Sequence, residues 1–372
     1  MISKDYTIVF ILSTQENTNN IKRIDEFVEN GYDVLAYSFF RNTNIKNKPK
    51  TVPIVNIGEF GNDTPYRNRI GIMKRGIKRV LDETKGKKCI YYLIRTEVAL
   101  VYMFLSNRPY IYEEADMTHV TFNNRCARSL FEYLDKRIVR KSIVSVFRSE
   151  GFVAYHYGDK APENVYVIPN RLDSSILSMQ SIEKTKAEDG KIRFGFVGVI
   201  RYQAILRFSE ILLKNFPNYE MHFYGVFGTE KTAEEFKVLE KYGNCFFHGG
   251  FVSPRDLPEI YSNIDLVVST YDATGVNRKY AEPNKLYEAI YFNSPIVVTS
   301  GTFLAKKVSS LGIGYDIDVE DEGAIYKFLS ELSVADMKEK SVNASKIDRS
   351  YCVNENSDFF ERLESLCRKK GL

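Results

Sequence analysis

One segment of the sequence has the residue types and spacing expected of a site for a phosphate-containing ligand. In Glu282-Pro-Asn-Lys-Leu-Tyr-Glu288 a proline precedes an amphipathic run, and proline is favoured where a helix begins because its missing N–H would have no partner there. The amides of Lys285 and Leu286 would be free in the first turn and could bind a diphosphate. Glu288 shares a helix side with Asn284 and could accept hydrogen bonds from both hydroxyls of a ribose.

A second group of candidate residues follows a predicted strand in the first half of the chain. The segment Tyr112-Glu-Glu-Ala-Asp116-Met-Thr-His119 places acids and a histidine after an apolar run, on the side of a parallel sheet where ligands bind. Glu114, Asp116 and His119 are therefore candidate catalytic groups, and Glu282 is a fourth. The alternative for each of these side chains is a structural role.

Two further strand ends could contact a phosphate. In Phe194-Gly-Phe-Val-Gly198-Val-Ile-Arg201 a strand ends in glycine and a basic residue follows. Arg201 could contact a phosphate through its charge, as could Lys285, although a surface charge is the alternative reading of Arg201. Gly225 ends another strand, where a plain tight turn is the alternative to a phosphate contact.

Composition limits the class of protein. The chain has 372 residues, 44% of them hydrophobic and 27% charged, which is enough for about two domains. A net charge of +4, with basic residues that do not interleave with aromatic ones, argues against nucleic-acid binding. The five cysteines are scattered, and no metal or redox motif is readable, so we expect no metal and no cofactor.

No targeting or membrane-spanning segment is predicted. The first apolar run, Thr7–Leu12, is too short for a signal peptide. No stretch approaches the ~20 apolar residues of a membrane span. We therefore expect a cytoplasmic protein, at most attached to the inner membrane face.

Strand-like runs alternate with helical patterns in two successive series. This alternation predicts parallel sheets covered on both faces by helices. The predicted strands are Thr7–Leu12, Asp33–Tyr37, Val52–Asn56, Cys89–Ile94, Tyr110–Glu113 and Ile143–Phe147, and then Ile192–Gly198, Glu220–Gly225, Cys245–Gly249, Asp265–Ser269 and Pro295–Thr299. We predict one domain over residues 1–175 and a second over 176–350, with a terminal helix in 351–372 that packs back towards the first.

The order of these motifs resembles that of the GT4-like group of GT-B glycosyltransferases. Their second domain has a helix-start segment of the form P-x-K-x-x-E-A, then a small-residue turn, a proline and an apolar strand. Pro283, Lys285, Glu288, Ala289 and Pro295 match that form. The resemblance implies an α/β fold of two doubly wound Rossmann-like domains that face a central cleft. The first domain would bind the acceptor and the second the nucleotide-sugar donor.

Other segments support the resemblance, while two positions depart from it. His248-Gly-Gly-Phe-Val-Ser-Pro254 looks like the base-binding loop of the family, which makes Phe251 and Val252 candidate donor contacts. Many members carry two glutamates spaced by eight residues, but Tyr280 stands at the first position. Ala204 stands where the family's phosphate-binding lysine would be.

A basic helix is predicted in the first domain. Tyr66–Leu81 carries six lysines and arginines and no acid, with apolar residues at helical spacing. Such a helix can lie on an anionic membrane surface, and the alternative is an ordinary solvated face over a core stripe. The membrane interpretation would suit a lipid-linked acceptor.

Together these observations predict a glycosyltransferase that moves a sugar from a UDP- or GDP-linked donor to a glycan or lipid-linked sugar. The resemblance implies retention of the anomeric configuration, and surface-polysaccharide synthesis is a hypothesis by analogy. One alternative is a UDP-sugar 2-epimerase, which has a similar fold but needs acids and histidines around the ligand. A second alternative is a non-catalytic subunit that binds nucleotide sugars.

Overall fold

The structure, a computed structural model, describes residues 6–14, 18–40, 51–61, 64–180, 182, 191–272 and 274–372. The chain divides into two compact units. Unit 1 comprises Met1–Pro169 and Asn356–Leu372, and unit 2 comprises Asn170–Glu355.

Unit 1 is built on a parallel sheet of seven strands in the order β3-β2-β1-β4-β5-β6-β7. All six residues of β4 are buried, because helices cover both faces of such a sheet and leave no side for polar residues. The strands are β1 (Thr7–Leu12), β2 (Asp33–Phe40), β3 (Ile54–Glu59), β4 (Cys89–Ile94), β5 (Tyr110–Glu114), β6 (Ser145–Phe147) and β7 (Val165–Val167).

The helices of unit 1 follow its strands in turn. They are α1 (Thr18–Glu29), α2 (Tyr66–Glu83), α3 (Thr96–Leu105), α4 (Arg125–Lys141) and α5 (Glu150–Tyr157), with a 3₁₀ helix, η1 (Thr118–Thr121), after β5. Asn124 caps α4 by accepting hydrogen bonds from the amides of Cys126 and Ala127, which satisfies donors that have no partner inside the helix.

Unit 2 repeats the design on a parallel sheet of six strands in the order β10-β9-β8-β11-β12-β13. Its strands are β8 (Arg193–Val197), β9 (Glu220–Tyr224), β10 (Cys245–Gly249), β11 (Leu266–Ser269), β12 (Ile296–Thr299) and β13 (Gly314–Ile317). Its helices are α6 (Gln203–Asn215), α7 (Glu230–Glu240), α8 (Leu257–Ser262), α9 (Val276–Tyr280), α10 (Asn284–Tyr291), α11 (Phe303–Leu311), α12 (Glu322–Glu331) and α13 (Val334–Ser345).

The last helix, α14 (Ser357–Lys369), belongs to unit 1. Its Phe359 and Phe360 rings lie 6.1 and 5.0 Å from the ring of Phe27 in α1. The chain therefore enters unit 2 once and returns to unit 1 at its end. The structure places the first boundary after Pro169 rather than after 175, and the return after Glu355 rather than after 350.

The predicted α/β class with two parallel sheets is confirmed, and every predicted strand overlaps an observed one. The short edge strands β7 and β13 were not predicted. The half-exposed pattern of β13 gives no continuous apolar run. Among the described residues, no helix is both long enough and apolar enough to cross a bilayer.

Candidate functional site

Two glycines bring adjacent strand ends of unit 2 into backbone contact. Gly198 follows β8 and Gly225 follows β9, with φ angles of 136° and 152°. A Cβ atom at Gly225 would lie 1.8 Å from the carbonyl oxygen of Gly198, so a larger residue would push the strands apart. The Gly225 amide donates to the carbonyl of Gly249 over 2.7 Å. At the carboxyl ends of β8, β9 and β10 the backbone is therefore uncovered, because the glycines there have no side chains.

The ammonium group of Lys285 lies against this backbone. A Cβ atom at Gly198 would be 3.2 Å from Lys285 Nζ. The ammonium donates to the Tyr271 hydroxyl over 3.2 Å and lies 4.2 Å from the ring centroid of Phe196. Lys285 is only 7% exposed, and it forms no ion pair with any carboxylate of the described residues. A buried cation is costly unless it is paired, so this position suits a ligand that brings negative charge.

The loop after β11 holds Tyr271 in place. The amide of Tyr271 donates to Thr299 Oγ1 over 2.9 Å, and Thr299 Oγ1 donates back to the Tyr271 carbonyl over 2.8 Å. The next residue, Asp272, accepts a hydrogen bond of 2.7 Å from the Ala204 amide in the first turn of α6. A carboxylate therefore already occupies that helix start, which makes it unsuitable for phosphate.

Two arginines flank an aromatic ring beside Tyr271. The guanidinium carbons of Arg201 and Arg278 lie 5.0 and 5.4 Å from the ring centroid of Tyr202, which itself lies 5.1 Å from the Tyr271 ring. Arg201 is exposed. The buried Nε of Arg278 has no hydrogen-bond partner among the described residues. Lys285, Arg201 and Arg278 thus gather positive charge around two tyrosines.

The start of α10 differs in detail from the prediction. Pro283 is the residue that precedes the first helical turn, and no side chain caps that turn. The Leu286 amide, predicted to be free, donates to the Pro283 carbonyl over 3.2 Å, because the first turn is tight. The side chain of Leu286 is fully buried. The prediction that the Leu286 amide is free is therefore wrong, while the contact of Lys285 with a phosphate stays a prediction.

Glu288 is buried and is hydrogen-bonded within unit 2. Its Oε2 accepts from the Tyr261 hydroxyl over 2.7 Å, and the residue is 4% exposed. Desolvation and the nearby Glu288 carboxylate raise the pKa of Tyr261 well above its ordinary range. Tyr261 therefore acts as a donor that fixes one carboxylate oxygen. A role of Glu288 towards a ribose stays a prediction.

Glu282, predicted as a catalytic acid, has a structural environment. Its Oε2 accepts from the Tyr287 hydroxyl over 2.6 Å and pairs with Lys307 Nζ at 3.0 Å. Its carbonyl accepts from the Asn170 side chain over 3.0 Å. Because the carboxylate is buried and already has a cation partner, it is unsuited to proton transfer with a substrate.

The predicted base-binding loop lies beside a groove of about 500 Å³. Phe251, together with Tyr224 and His248, lines this groove, and the rings of Tyr224 and His248 stack with centroids 4.2 Å apart. Val252 is engaged differently, since its amide donates to Asp256 Oδ2 over 2.7 Å. Phe251 is thus available to a planar ligand, whereas the Val252 amide is already used.

In unit 1, Asp116 is the predicted acid that reaches solvent. Its side chain is 49% exposed, and its Oδ2 pairs with Arg95 Nη2 at 2.7 Å. Arg95 follows β4 with a φ angle of 82°, which is unusual for a residue other than glycine and marks local strain. Strain of this kind is common at functional sites, and sequence patterns do not reveal it.

Glu114 and His119, the other predicted catalytic residues, are buried inside unit 1. Their exposures are 0% and 1%. Glu114 Oε1 lies 3.0 Å from His156 Nε2. Burial raises the pKa of Glu114 to about 8 and lowers the pKa of His119 to about 4, since a low-dielectric interior disfavours both charged forms. Both side chains are thus enclosed within unit 1, and their predicted catalytic roles stay predictions.

The basic helix α2 is amphipathic, but its apolar stripe packs inside unit 1. Met73, Ile77 and Val80 are buried. A Cβ atom at Gly76 would lie 2.4 Å from the carbonyl oxygen of Ile57, so the helix packs closely on β3. The predicted lipid-facing apolar stripe is wrong. The outward face is basic, with Lys74, Arg75 and Lys78 exposed.

No family model matches the sequence, and no curated protein is significantly similar to it. Solved structures are similar across nearly the whole chain. HepE of Anabaena, in complex with UDP and glucose, superposes with a TM-score of 0.67 at 14% identity, covering 98% of this chain and 99% of HepE. The chain has the GT-B fold.

Two further structures support that assignment. Sucrose-phosphate synthase from Thermosynechococcus elongatus has a TM-score of 0.64 at 13% identity, with coverage of 97% of this chain and 94% of the synthase. WaaG, a glycosyltransferase involved in lipopolysaccharide biosynthesis, has a TM-score of 0.63 at 14% identity, with coverage of 96% and 98%. At such identities the similarity establishes the fold, and the chemistry must be argued from the residues.

Proposed function

We propose that the protein is a glycosyltransferase whose donor is a nucleotide-diphosphate sugar. The observation that carries this proposal is the buried ammonium of Lys285, which lies against the glycine backbone after β8 and has no carboxylate partner in the described part of the chain. A diphosphate supplies the missing negative charge. The carboxyl ends of parallel strands are the usual ligand-binding edge of an α/β sheet.

The chemistry follows from the cations around this position. Breaking the bond between the sugar and the diphosphate leaves negative charge on the leaving group, and Lys285 and Arg278 stabilise that charge better than water does in a partly buried site. Arg201 lies at the exposed side of Tyr202 and assists through longer-range attraction. HepE is similar in fold and was solved with UDP, which supports UDP as the diphosphate, with GDP as the alternative.

The test is turnover of a panel of UDP- and GDP-sugars by the purified chain. We expect slow release of the free sugar and of one nucleoside diphosphate. The sugar that NMR detects first should have the same anomeric configuration as the donor. Lys285→Met should lower the rate about 10- to 100-fold, the loss of a charged hydrogen bond. Lys279→Met, at an exposed lysine of α9, is the matched control and should leave the rate unchanged.

Other outcomes assign the alternatives. A sugar product inverted at C2 would identify an epimerase. Saturable binding without turnover would support a non-catalytic subunit that binds nucleotide sugars. Failure of every diphosphate to bind would refute the proposed site.

Asp116 is the acid of unit 1 that we propose for the reaction. It is exposed, it follows β5, and the strained Arg95 holds one of its oxygens. We expect Asp116→Asn to lower kcat with little effect on KM for the donor. Glu97→Gln is the control. Glu97 also lies near Arg95, with 3.9 Å between Glu97 Oε1 and Arg95 Nε, but it belongs to helix α3. An unchanged kcat in Asp116→Asn would remove Asp116 from the mechanism.

We also propose that α2 attaches the protein to an anionic membrane that holds a lipid-linked acceptor. Two apolar side chains, Ile70 of α2 and Phe104 of α3, are 42% and 79% exposed. Lys74 Nζ lies 5.3 Å from the Phe104 ring centroid. An aromatic side chain beside cations is typical of a surface that contacts lipid headgroups.

Vesicle sedimentation at low salt tests this attachment. We expect binding to vesicles with anionic lipid, loss of binding in Lys74→Glu/Arg75→Glu, and weaker binding in Phe104→Ser. Leu130→Ser is the control, because Leu130 is a 55% exposed apolar residue on α4. Equal binding to neutral vesicles, or no binding at all, would refute the attachment and leave the donor site unaffected.

A further inference from the structure

Four buried side chains of unit 1 bring two carboxylates and two imidazoles together. Glu114 ends β5, His119 lies in η1, Asp135 lies within α4, and His156 lies near the end of α5. One ligand atom from each of His119, Asp135 and His156 lies within 4.8 Å of the other two. Glu114 Oε1 is 3.0 Å from His156 Nε2. We refer to these four residues as the His–acid cluster.

The hydrogen bonds of the His–acid cluster leave several of its polar atoms unsatisfied. Asp135 Oδ1 accepts from the Tyr112 and Thr96 hydroxyls over 2.8 and 3.2 Å. Glu114 Oε2, His119 Nε2 and His156 Nδ1 are buried and have no hydrogen-bond partner among the described residues. Buried polar atoms of this kind normally have partners. Glu114 Oε2 and His119 Nε2 are therefore available to a ligand, whereas His156 Nδ1 lies on the side of its ring opposite to the Nε2 atom that faces both carboxylates.

The two carboxyl groups of the cluster interact with each other, and either a cation or a shared proton would compensate their charge. No lysine or arginine of the described residues forms an ion pair with Glu114 or Asp135, and their ion-pair contacts are both with His156 Nε2, at 3.0 and 3.9 Å. Two carboxylates that face each other inside a protein need positive charge between them or a shared proton. Neutral imidazoles supply ligand atoms but no charge.

We propose that the His–acid cluster binds one divalent transition-metal ion. Imidazole and carboxylate together suit zinc and its first-row neighbours. Tetrahedral zinc, with bonds of about 2.0–2.2 Å, requires ligand atoms about 3.3–3.6 Å apart. The ligand atoms of His119, Asp135 and His156 lie within 4.8 Å of one another, so small side-chain rotations bring these three around an ion, with Glu114 beside His156 as a further ligand. The hydroxyls of Tyr112 and Thr96 would orient Asp135 from the outer shell.

The metal site has a structural consequence that does not depend on glycosyl transfer. Its ligands come from β5, η1, α4 and α5, so one ion would join four elements of unit 1. The segment between Glu114 and His119, which carries Asp116, would be held at both ends. The ligands are spread over more than forty positions of the sequence, which explains why no metal motif is readable from spacing.

The test uses the tag-free full chain, expressed and refolded with Zn²⁺ and then dialysed. Elemental analysis should find about one ion per chain, and Zn²⁺ should raise Tm because it binds only the folded state. His119→Gln/His156→Gln should lose the ion. The matched control is His222→Gln/His248→Gln, which removes the surface histidine pair with nitrogens 3.0 Å apart and should keep it.

Each result is decisive. Absence of zinc, manganese, iron and cobalt from the wild type after refolding would overturn the proposal, and so would an ion that is lost in the surface-pair variant and kept in the cluster variant. If His119→Gln/His156→Gln fails to fold, Co²⁺ in the wild type decides. Visible absorption typical of four- or five-coordinate cobalt with imidazole ligands supports the site, and a spectrum of hydrated Co²⁺ only refutes it.

Discussion

Two lysines of unit 2 with little exposure have opposite environments. Lys307 pairs with Glu282 at 3.0 Å, and their side chains are 12% and 0% exposed. Lys285 is 7% exposed, and its ammonium meets the Tyr271 hydroxyl and the Phe196 ring, with no carboxylate partner among the described residues. Glu282, the partner of Lys307, is three residues from Lys285 in the same motif.

The difference separates a structural cation from a binding cation. A buried ion pair whose partner is removed leaves an uncompensated charge, which costs several kcal/mol. A buried cation without an internal anion has already incurred its desolvation cost, so a ligand anion that reaches it gains strongly. Lys307 should therefore matter for stability, and Lys285 for binding.

The largest expected effect is on stability. Lys307→Met should lower the free energy of unfolding by about 3–5 kcal/mol, because the buried Glu282 carboxylate loses its cation. Urea unfolding measures the change. The double variant Lys307→Met/Glu282→Gln should recover part of the loss, since both charges are then absent. A loss below about 1 kcal/mol would mean that Lys307 is no more structural than a surface lysine.

The second effect is on nucleotide binding. Lys285→Met should weaken UDP binding by about 1.5–3 kcal/mol, the value of a hydrogen bond to a charged group, while the midpoint of urea unfolding stays the same or rises. Calorimetric titration and urea unfolding of the same preparation give both numbers. If the free energy of unfolding falls as much in Lys285→Met as in Lys307→Met, both lysines are structural and the distinction between them is wrong.

A third change moves the Lys285 ammonium without removing it. Gly198→Ala would place a Cβ atom 3.2 Å from Lys285 Nζ at a φ angle of 136°. We expect a stability cost of about 1–3 kcal/mol from the backbone strain, together with weaker UDP binding. Gly243→Ala, where a Cβ atom would meet nothing within 4 Å, is the control. Normal UDP binding in Gly198→Ala would show that the position of the ammonium is not critical.

The smallest effect belongs to an exposed cation. Arg201→Ala should weaken UDP binding by about 0.5–1 kcal/mol, as expected for an exposed cation–π or ionic contact, and the weakening should shrink in high salt. Titration at two salt concentrations checks this. An effect larger than that of Lys285→Met would place the main phosphate contact at the exposed side of Tyr202.

The sequence predicted the fold well because buried parallel strands are apolar along their whole length. β1, β4 and β10 were predicted with their observed bounds. β7 was missed because it has only three residues, and β13 because Gly314–Ile317 is half exposed and has no continuous apolar run. Helix α14 packs on unit 1 through Phe359 and Phe360. Its amphipathic periodicity was enough to predict the helix from the sequence.

The candidate site was less predictable, because it depends on which partners the fold brings together. Lys285 was identified from its motif, but Tyr271, Tyr202 and Arg278 were not, although Tyr271 lies two residues after the end of β11, where ligand-binding residues are expected. The burial of Glu114 could not be predicted, because charged residues stand beside it in the sequence. In the structure Glu114 is fully buried, and α4 and α5 enclose it.

The most direct test of the account compares UDP, UMP and uridine, and the matching guanosine series, in wild type and Lys285→Met. Each phosphate should strengthen binding to the wild type, and most of the difference between UDP and uridine should disappear in the variant, because Lys285 supplies the charge that the diphosphate meets. The result that would contradict the account is an undiminished difference between UDP and uridine in Lys285→Met, which would show that the diphosphate is bound elsewhere.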